Sequence, residues 1–180
     1  MIVSLNKTKA AGFTLIELLV VISIIGLLAS ATLAQLASAR DGAMYAVAKQ
    51  DMRMISNGFV ATDNVSIAIK DITGSGCSNC VCRVANGAPT ILSQATDAST
   101  CVTRWRTSLT NIAAQTPLLN DIESLIRDPW GSPYLLDENE LEFATNPCRR
   151  DYLTTAGADR VWGTSDDFSI ALPFRTIVCK

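Results

Sequence analysis

The sequence contains no histidine. That absence excludes serine–histidine–aspartate and cysteine–histidine nucleophilic centres, and any histidine-ligated zinc. Charge is also sparse: 18% of the 180 residues are Asp, Glu, Lys or Arg, and the net charge is −2. A chain so weakly charged lacks the basic surface that counters a phosphate backbone, so nucleic acid is not favoured as a partner. No proline occurs between Met1 and Pro89, so no pyrrolidine ring breaks a helix in that stretch. Internal repeats and low-complexity segments are missing too. With 48% hydrophobic residues the chain is not disordered, and its length suits one domain with an appended segment.

What is present in excess is apolar side chain near the amino terminus. Phe13 to Ala34 reads FTLIELLVVISIIGLLASATLA, with Glu17 its one charge. As a helix this run is about 33 Å long, enough to cross a hydrocarbon core of about 30 Å. The preceding leader, Met1 to Gly12, carries Lys7 and Lys9 and no acid, which keeps it on the cytoplasmic side and sends the remainder outward. A cleaved Sec signal is the competing reading, with Ala29-Ser30-Ala31 or Ala37-Ser38-Ala39 as its small-x-small site. Against it stand the length of the run and Glu17. A carboxylate in a membrane helix costs about 2.5–3.5 kcal/mol on insertion scales, so its presence implies a partner and a use.

The string Gly12-Phe13-Thr14-Leu15-Ile16-Glu17, followed by that run, resembles the cleavage and methylation signature of type IV pilins and type II secretion pseudopilins. The resemblance implies that a prepilin peptidase cuts after Gly12 and N-methylates Phe13, while the apolar helix stays in the mature protein. It also implies a helical filament of this chain with other pseudopilins, assembled by an inner-membrane platform and its ATPase. Ala34 stands where the family commonly has proline. Glu17 lies one helical turn from the amine of residue 13, and in a filament that amine can belong to a neighbouring subunit. Pairing would offset the desolvation of both charges and fix the axial register.

Beyond the apolar run the helix is expected to continue. Arg40 to Phe59 has apolar residues at Met44, Val47, Ala48, Met52, Ile55 and Phe59, a spacing of three and four, with Arg40, Asp41, Lys49, Gln50 and Arg53 for the wet face. Asn57-Gly58 or the Thr62-Asp63-Asn64 cluster is expected to end it. Residues 60–105, with Gly74, Gly76, Gly87 and Pro89, read as loops and short strands. Ser108 to Ile126 reads as one or two short helices interrupted by Pro117. Strands are expected at Pro133–Leu136, Leu141–Ala144, Tyr152–Thr155 and Phe168–Leu172, the first two flanking a turn at Asp137–Glu140. The architecture is therefore α+β: a long, half-transmembrane amino-terminal helix packed on a carboxyl-terminal antiparallel sheet domain. The segments are a cytoplasmic leader (1–12), a membrane or filament-core helix (13–39) and an exported globular domain (40–180).

All six cysteines, Cys77, Cys80, Cys82, Cys101, Cys148 and Cys179, lie in the exported part. An even count there favours disulfides. Fifteen pairings are open, among them a Cys148–Cys179 bridge tying the last strand to the preceding hairpin. A zinc site of Cys77, Cys80, Cys82 and Cys101 has workable spacing but the wrong compartment. A redox role for Cys77-Ser78-Asn79-Cys80 lacks a supporting thioredoxin-like pattern.

Near the carboxyl terminus, Ala156-Gly157-Ala158-Asp159 leads through Gly163 to Thr164-Ser165-Asp166-Asp167. Three carboxylates with intervening glycines have the composition of a hard-cation loop, although not the spacing of an EF-hand. Adjacent Asp166 and Asp167 would point to opposite faces of a strand, so both reach one ion only if the backbone turns there. Composition alone favours a solvated acidic turn over that loop. Asp128-Pro129-Trp130-Gly131-Ser132-Pro133-Tyr134, then Thr155 to Asp159, then Asp166-Asp167 resemble the carboxyl-terminal region of the type II secretion major pseudopilin. That resemblance implies structural calcium in loop 156–167, held by the side chains of Asp159, Asp166 and Asp167 and the carbonyls of Ala156 and Thr164. Arg160 stands where glycine is frequent. The Asp128–Tyr134 segment itself reads as a turn that lets Trp130 and Tyr134 pack on the sheet.

No nucleophile, base and oxyanion pocket assemble from these residues, so no enzymatic activity is expected. The expected function is that of a pseudopilus subunit in the bacterial inner membrane, single-pass, with its carboxyl-terminal domain outside the cytoplasm, supporting protein export. The alternative is a type IV pilin or minor pilin acting in adhesion or DNA uptake, for which Arg104, Arg106, Arg149 and Arg150 are the candidate basic residues. Processing separates the pilin and Sec readings. Amino-terminal mass spectrometry of the mature protein is expected to find N-methylated Phe13 as the first residue; a start at Thr32 or Arg40 would restore the Sec signal.

Overall fold

The computed structural model describes residues 12–62, 67–74 and 77–180. The lysines of the leader, the Asp63-Asn64 pair and Gly76 lie outside the described residues, and so does the side chain of Ala34. The chain divides into two compact units, 1–40 and 41–180. One helix, α1 (Leu15–Ala61), runs through both. At 47 residues it is about 70 Å long.

In the first unit the helix finds no cover from its own chain. Phe13, Leu15 and Leu27 are each more than 70% exposed, and Ile16, Ile22 and Ile25 are exposed as well. The membrane-length window of α1 has a mean hydropathy of 2.4, with none of it buried. A helix apolar on all faces is stable only in lipid or among other helices.

In the second unit α1 turns amphipathic. Ala48, Met52, Ile55 and Phe59 are fully buried, on the helical spacing expected of them. Val47 departs from the expected stripe and is exposed. Its place at the buried edge is taken by Tyr45, half-buried beside Met44; Tyr45 stands three residues before Ala48 and so on the same side of the helix. The Asn57-Gly58 stop is also corrected: the helix passes through both and ends at Ala61. Gly58 serves close packing instead, since a Cβ there would stand 2.7 Å from Leu119 Cδ1.

The expected short strands of 60–105 are absent among the described residues. Helical turns take their place: α2 (Ile69–Thr73), α3 (Ser78–Val81) and two 3-10 turns at Val84–Asn86 and Leu92–Gln94. The helix expected from Ser108 begins earlier, as α4 (Thr100–Ala113), capped by the Ser99 side chain on the Val102 amide. Its stripe of Val102, Trp105, Leu109 and Ile112 is fully buried. A 3-10 turn at Glu123–Leu125 follows Pro117.

The sheet is a three-stranded antiparallel meander of β1 (Leu135–Asp137), β2 (Tyr152–Thr155) and β3 (Phe168–Ala171). Leu136 pairs with Leu153, and Leu153 with Ile170. These three line the face packed on α1 and α4, whereas Leu135 joins a second cluster with Cys82, Leu92, Cys101 and Ala156. Successive strand residues thus serve opposite faces. The Leu141–Ala144 strand does not form. Leu141 has φ 62° and its amide donates to the Pro147 carbonyl, a local loop in place of a ladder.

That loop is organised by buried carboxylates. Asp151 Oδ1 accepts from the amides of Asn139 and Glu140. Glu140 accepts from the amides of Arg175 and Thr176 and from the Thr176 hydroxyl, seating the final segment. Burial pushes Asp151 up to about 6; the two amides oppose the shift, and the charges of Glu140 and Asp137 add to it. The folded state therefore holds this proton more tightly than the unfolded chain, whose Asp titrates near its ordinary value of 3.8. The stability it contributes is fully present below that value and lost as pH rises through about 6. Asp151→Asn keeps an acceptor for both amides. It is expected to flatten the fall in stability of the 40–180 domain between about pH 4 and 6, a difference on the order of 2–3 kcal/mol read by urea unfolding.

Candidate functional site: the helix start and the carboxyl-terminal loop

Two places carry the chemistry singled out by the sequence. At the first, α1 opens with a reciprocal cap. The Thr14 amide and hydroxyl donate to Glu17 Oε2 at 2.9 and 2.7 Å, and the Glu17 amide donates back to Thr14 Oγ1 at 3.3 Å. This is a capping box, in which side chains satisfy helix-start amides that have no intrahelical partner. The Thr14-x-x-Glu17 spacing is legible in the sequence, and a reading centred on the membrane charge of Glu17 missed it. Gly12 and Phe13 precede the helix, with open space around Gly12 and Phe13 85% exposed.

At the second place, the Asp128 turn and loop 156–167 are joined. Asp128 Oδ1 accepts from the amides of Trp130 and Ser132 at 3.0 and 2.9 Å, while Oδ2 accepts from the Thr155 hydroxyl at 2.6 Å. Gly131 supplies φ 89°, closing the turn with its amide on the Asp128 carbonyl. Burial raises the Asp128 pKa against these hydrogen bonds. Trp130 then meets Tyr45 of α1, ring centroids 4.5 Å apart, and Tyr134 donates to Asp51 of α1 at 2.9 Å. The turn is scaffold, as its sequence indicates.

Thr155 ends β2 and the loop follows. Asp159 Oδ1 accepts from the Val161 amide at 2.8 Å, and the Asp159 amide donates to Asp166 Oδ2 at 3.0 Å. Asp166 Oδ1 takes the Thr164 hydroxyl at 2.6 Å, and Asp167 Oδ2 takes the Gly163 amide at 2.8 Å. The other oxygen of Asp167, Oδ1, is buried and has no hydrogen-bond partner. Gly157, at φ 64°, backs directly onto Asp166: a Cβ there would stand 2.5 Å from the Asp166 carbonyl oxygen and Oδ2. Residues 165–166 form a turn, so the adjacent aspartates are not splayed across a strand. Arg160 holds φ 63° and so retains the left-handed backbone that glycine adopts without strain.

The carboxylates differ in their surroundings. Burial and the charges of Asp166 and Asp159 raise the Asp167 pKa, opposed by the Gly163 and Thr164 amides. For Asp166, slight burial acts upward, but hydrogen bonds from Thr164 and Asp159 prevail and lower it. The loop thus carries one carboxylate whose charge is poorly compensated.

Among the described residues, the one set of three sulfur or carboxylate ligand atoms within 4.8 Å of one another is Cys77, Cys80 and Asp137. It is not a metal centre, because Cys77 and Cys80 share a disulfide. The other bridges are Cys82–Cys101 and Cys148–Cys179, and no cysteine is free. The four-cysteine zinc alternative is therefore closed.

An α+β domain on a helix whose apolar half lies bare fits a membrane-anchored protein. Comparison with known proteins is specific on this point: residues 7–33 match the prokaryotic N-terminal methylation motif, the signature of type IV pilins and pseudopilins. No curated protein and no solved structure matches the chain. The motif supports a type IV pilin-like protein, a structural rather than enzymatic kind, which implies processing by a prepilin peptidase and assembly into filaments.

Proposed function

We propose that this chain is a structural subunit of a type II secretion pseudopilus. It is held in the inner membrane by the apolar half of α1, with residues 40–180 on the outer side, and polymerises through that helix to support protein export. The observation that carries this reading is the pairing, on one chain, of the methylation motif with loop 156–167, where Asp167 Oδ1 is buried without a partner. A divalent cation would answer both that oxygen and the charge around it, drawing together three carboxylates that do not all stand within 4.8 Å of one another here. Calcium, which accepts six to eight oxygens in irregular geometry, would be held by the carboxylates of Asp159, Asp166 and Asp167 and the carbonyls of Ala156 and Thr164. Bound there, it supplies charge that turns carboxylate repulsion into ligation. The minor-pilin reading needs a basic patch, and three of its four candidates are engaged locally: Arg106 pairs with Glu123, and Arg149 and Arg150 lie over the rings of Phe143 and Phe174.

In assembly, Glu17 neutralises the terminal amine of a neighbouring subunit and sets the register, beyond capping its own helix. Glu17→Ala is expected to insert and be processed yet to assemble poorly. Glu17→Gln keeps a capping oxygen but no charge, so filament yield equal to wild type from the glutamine variant would assign Glu17 to capping alone. Yields are read from sheared filaments against total membrane protein.

The metal is tested by thermal melting of the 40–180 domain with its disulfides oxidised. It should melt higher in calcium than in chelator, by an increment worth about 2.7 kcal/mol at a hundred times the dissociation constant. Asp159→Ala, or alanine at both Asp166 and Asp167, should abolish the difference, and magnesium should substitute weakly. Equal melting temperatures in the unmutated domain would leave loop 156–167 an acidic surface turn.

A further inference from the structure

We propose that Tyr45 couples calcium occupancy of loop 156–167 to the seating of the second half of α1, an inference that rests on the calcium reading above. The Tyr45 hydroxyl donates to the main-chain carbonyl of Asp166 at 3.0 Å, across 121 residues of sequence. The Ala158 amide acts on the same phenol from the other limb of the loop. The Tyr45 ring is itself fixed against Trp130, which the Asp128 turn holds. One helical turn further along, Lys49 Nζ stands 4.7 Å from the centre of the Phe168 ring. Residues 45 and 49 share one face of the helix, and through them α1 touches both neighbours of Asp167. Between those two contacts lies the buried, unpartnered Oδ1.

Tyr45 is a positioning residue and not a ligand. Its hydroxyl holds the peptide that joins the two adjacent aspartates, and the orientation of that peptide decides whether both carboxylates reach one ion. Gly157 sits so close to Asp166 that a Cβ there would stand 2.5 Å from the same carbonyl oxygen that Tyr45 holds. Such coupling is reciprocal. If the Tyr45 bond is made better in the loaded loop, calcium must in turn tighten residues 41–52 of the helix. A filament subunit built this way has the helix that bears its assembly surface reporting the ion concentration outside the cell membrane.

The test uses the full-length processed chain in detergent micelles, disulfides oxidised, with calcium chloride as the probe. Calorimetric titration gives the affinity, and hydrogen exchange of residues 41–52 in calcium and in chelator gives the response of the helix. Wild type is expected to bind calcium and to exchange more slowly when loaded. Tyr45→Phe keeps the ring on Trp130 and removes only the hydroxyl. It is expected to weaken calcium binding about fivefold, the effect of one ordinary hydrogen bond, and to shrink the calcium-dependent slowing of helix exchange by a comparable factor. Absence of calcium binding in wild type would overturn the calcium reading itself. Unchanged affinity in Tyr45→Phe would overturn the coupling and leave that reading standing. Weaker binding with an undiminished helix response would likewise overturn it, making Tyr45 a local support of the loop.

Discussion

Everything in this molecule follows from one helix whose two halves need different surroundings. Along the first half of α1 the side chains are apolar on every face and bare, so water is excluded as their environment. Along the second half, Met52, Ile55 and Phe59 join one core with side chains of α4 and the sheet. The same backbone serves both because no proline or cap interrupts it, and the helix runs on through Gly58. A break between the halves would separate the anchoring function from the folded domain. The methylation motif at residues 7–33 runs into the start of this helix, and Phe13 stands immediately before its Thr14 cap.

The sheet packed on α1 is too short to stand on its own ladder. Its strands are three and four residues long, near the lower limit of natural strands. Long-range ties supply the deficit. Glu140 gathers the amides of Arg175 and Thr176, and Cys148–Cys179 closes the same region covalently. Cys82–Cys101 ties α3's exit to α4. Loops of roughly 20 to 30 residues closed in this way restrict the unfolded chain by about 3–4 kcal/mol each in the chain-entropy account. Cys77–Cys80, with a separation of 3, restricts far less and pins a single turn.

How much of this was legible depends on whether the signal was local. The helix, its end-to-end continuity and the strands at Tyr152 and Phe168 follow from period and composition, which neighbours in sequence carry. Leu141–Ala144 failed as a strand because alternation cannot reveal that Leu141 adopts φ 62° for a hydrogen bond to Pro147. The start of α4 was readable from Ser99 and the spacing of Val102, Trp105 and Leu109, but the glycines upstream masked it. Tyr45 was unreadable as a loop contact, since its partner at Asp166 lies 121 residues away. At the helix start the T-x-x-E spacing was open to inspection, and Glu17 was nonetheless weighed only as a charge.

Glu17 and Asp167 pose the same physical problem in different solvents. Each is a carboxylate placed where its charge is incompletely answered by its own chain. Thr14 satisfies Oε2 of Glu17 through two hydrogen bonds, but a capping box supplies dipoles and no net positive charge. Gly163 satisfies one oxygen of Asp167 and leaves the other bare, with Asp166 and Asp159 adding repulsion. Folding alone does not repair either defect, because no cation of the described chain is paired with either group. An unanswered charge in low dielectric is expensive, so each position has a standing free-energy gain available from an external cation. On the function proposed above, that cation is the amine of another subunit for Glu17 and a calcium ion for Asp167.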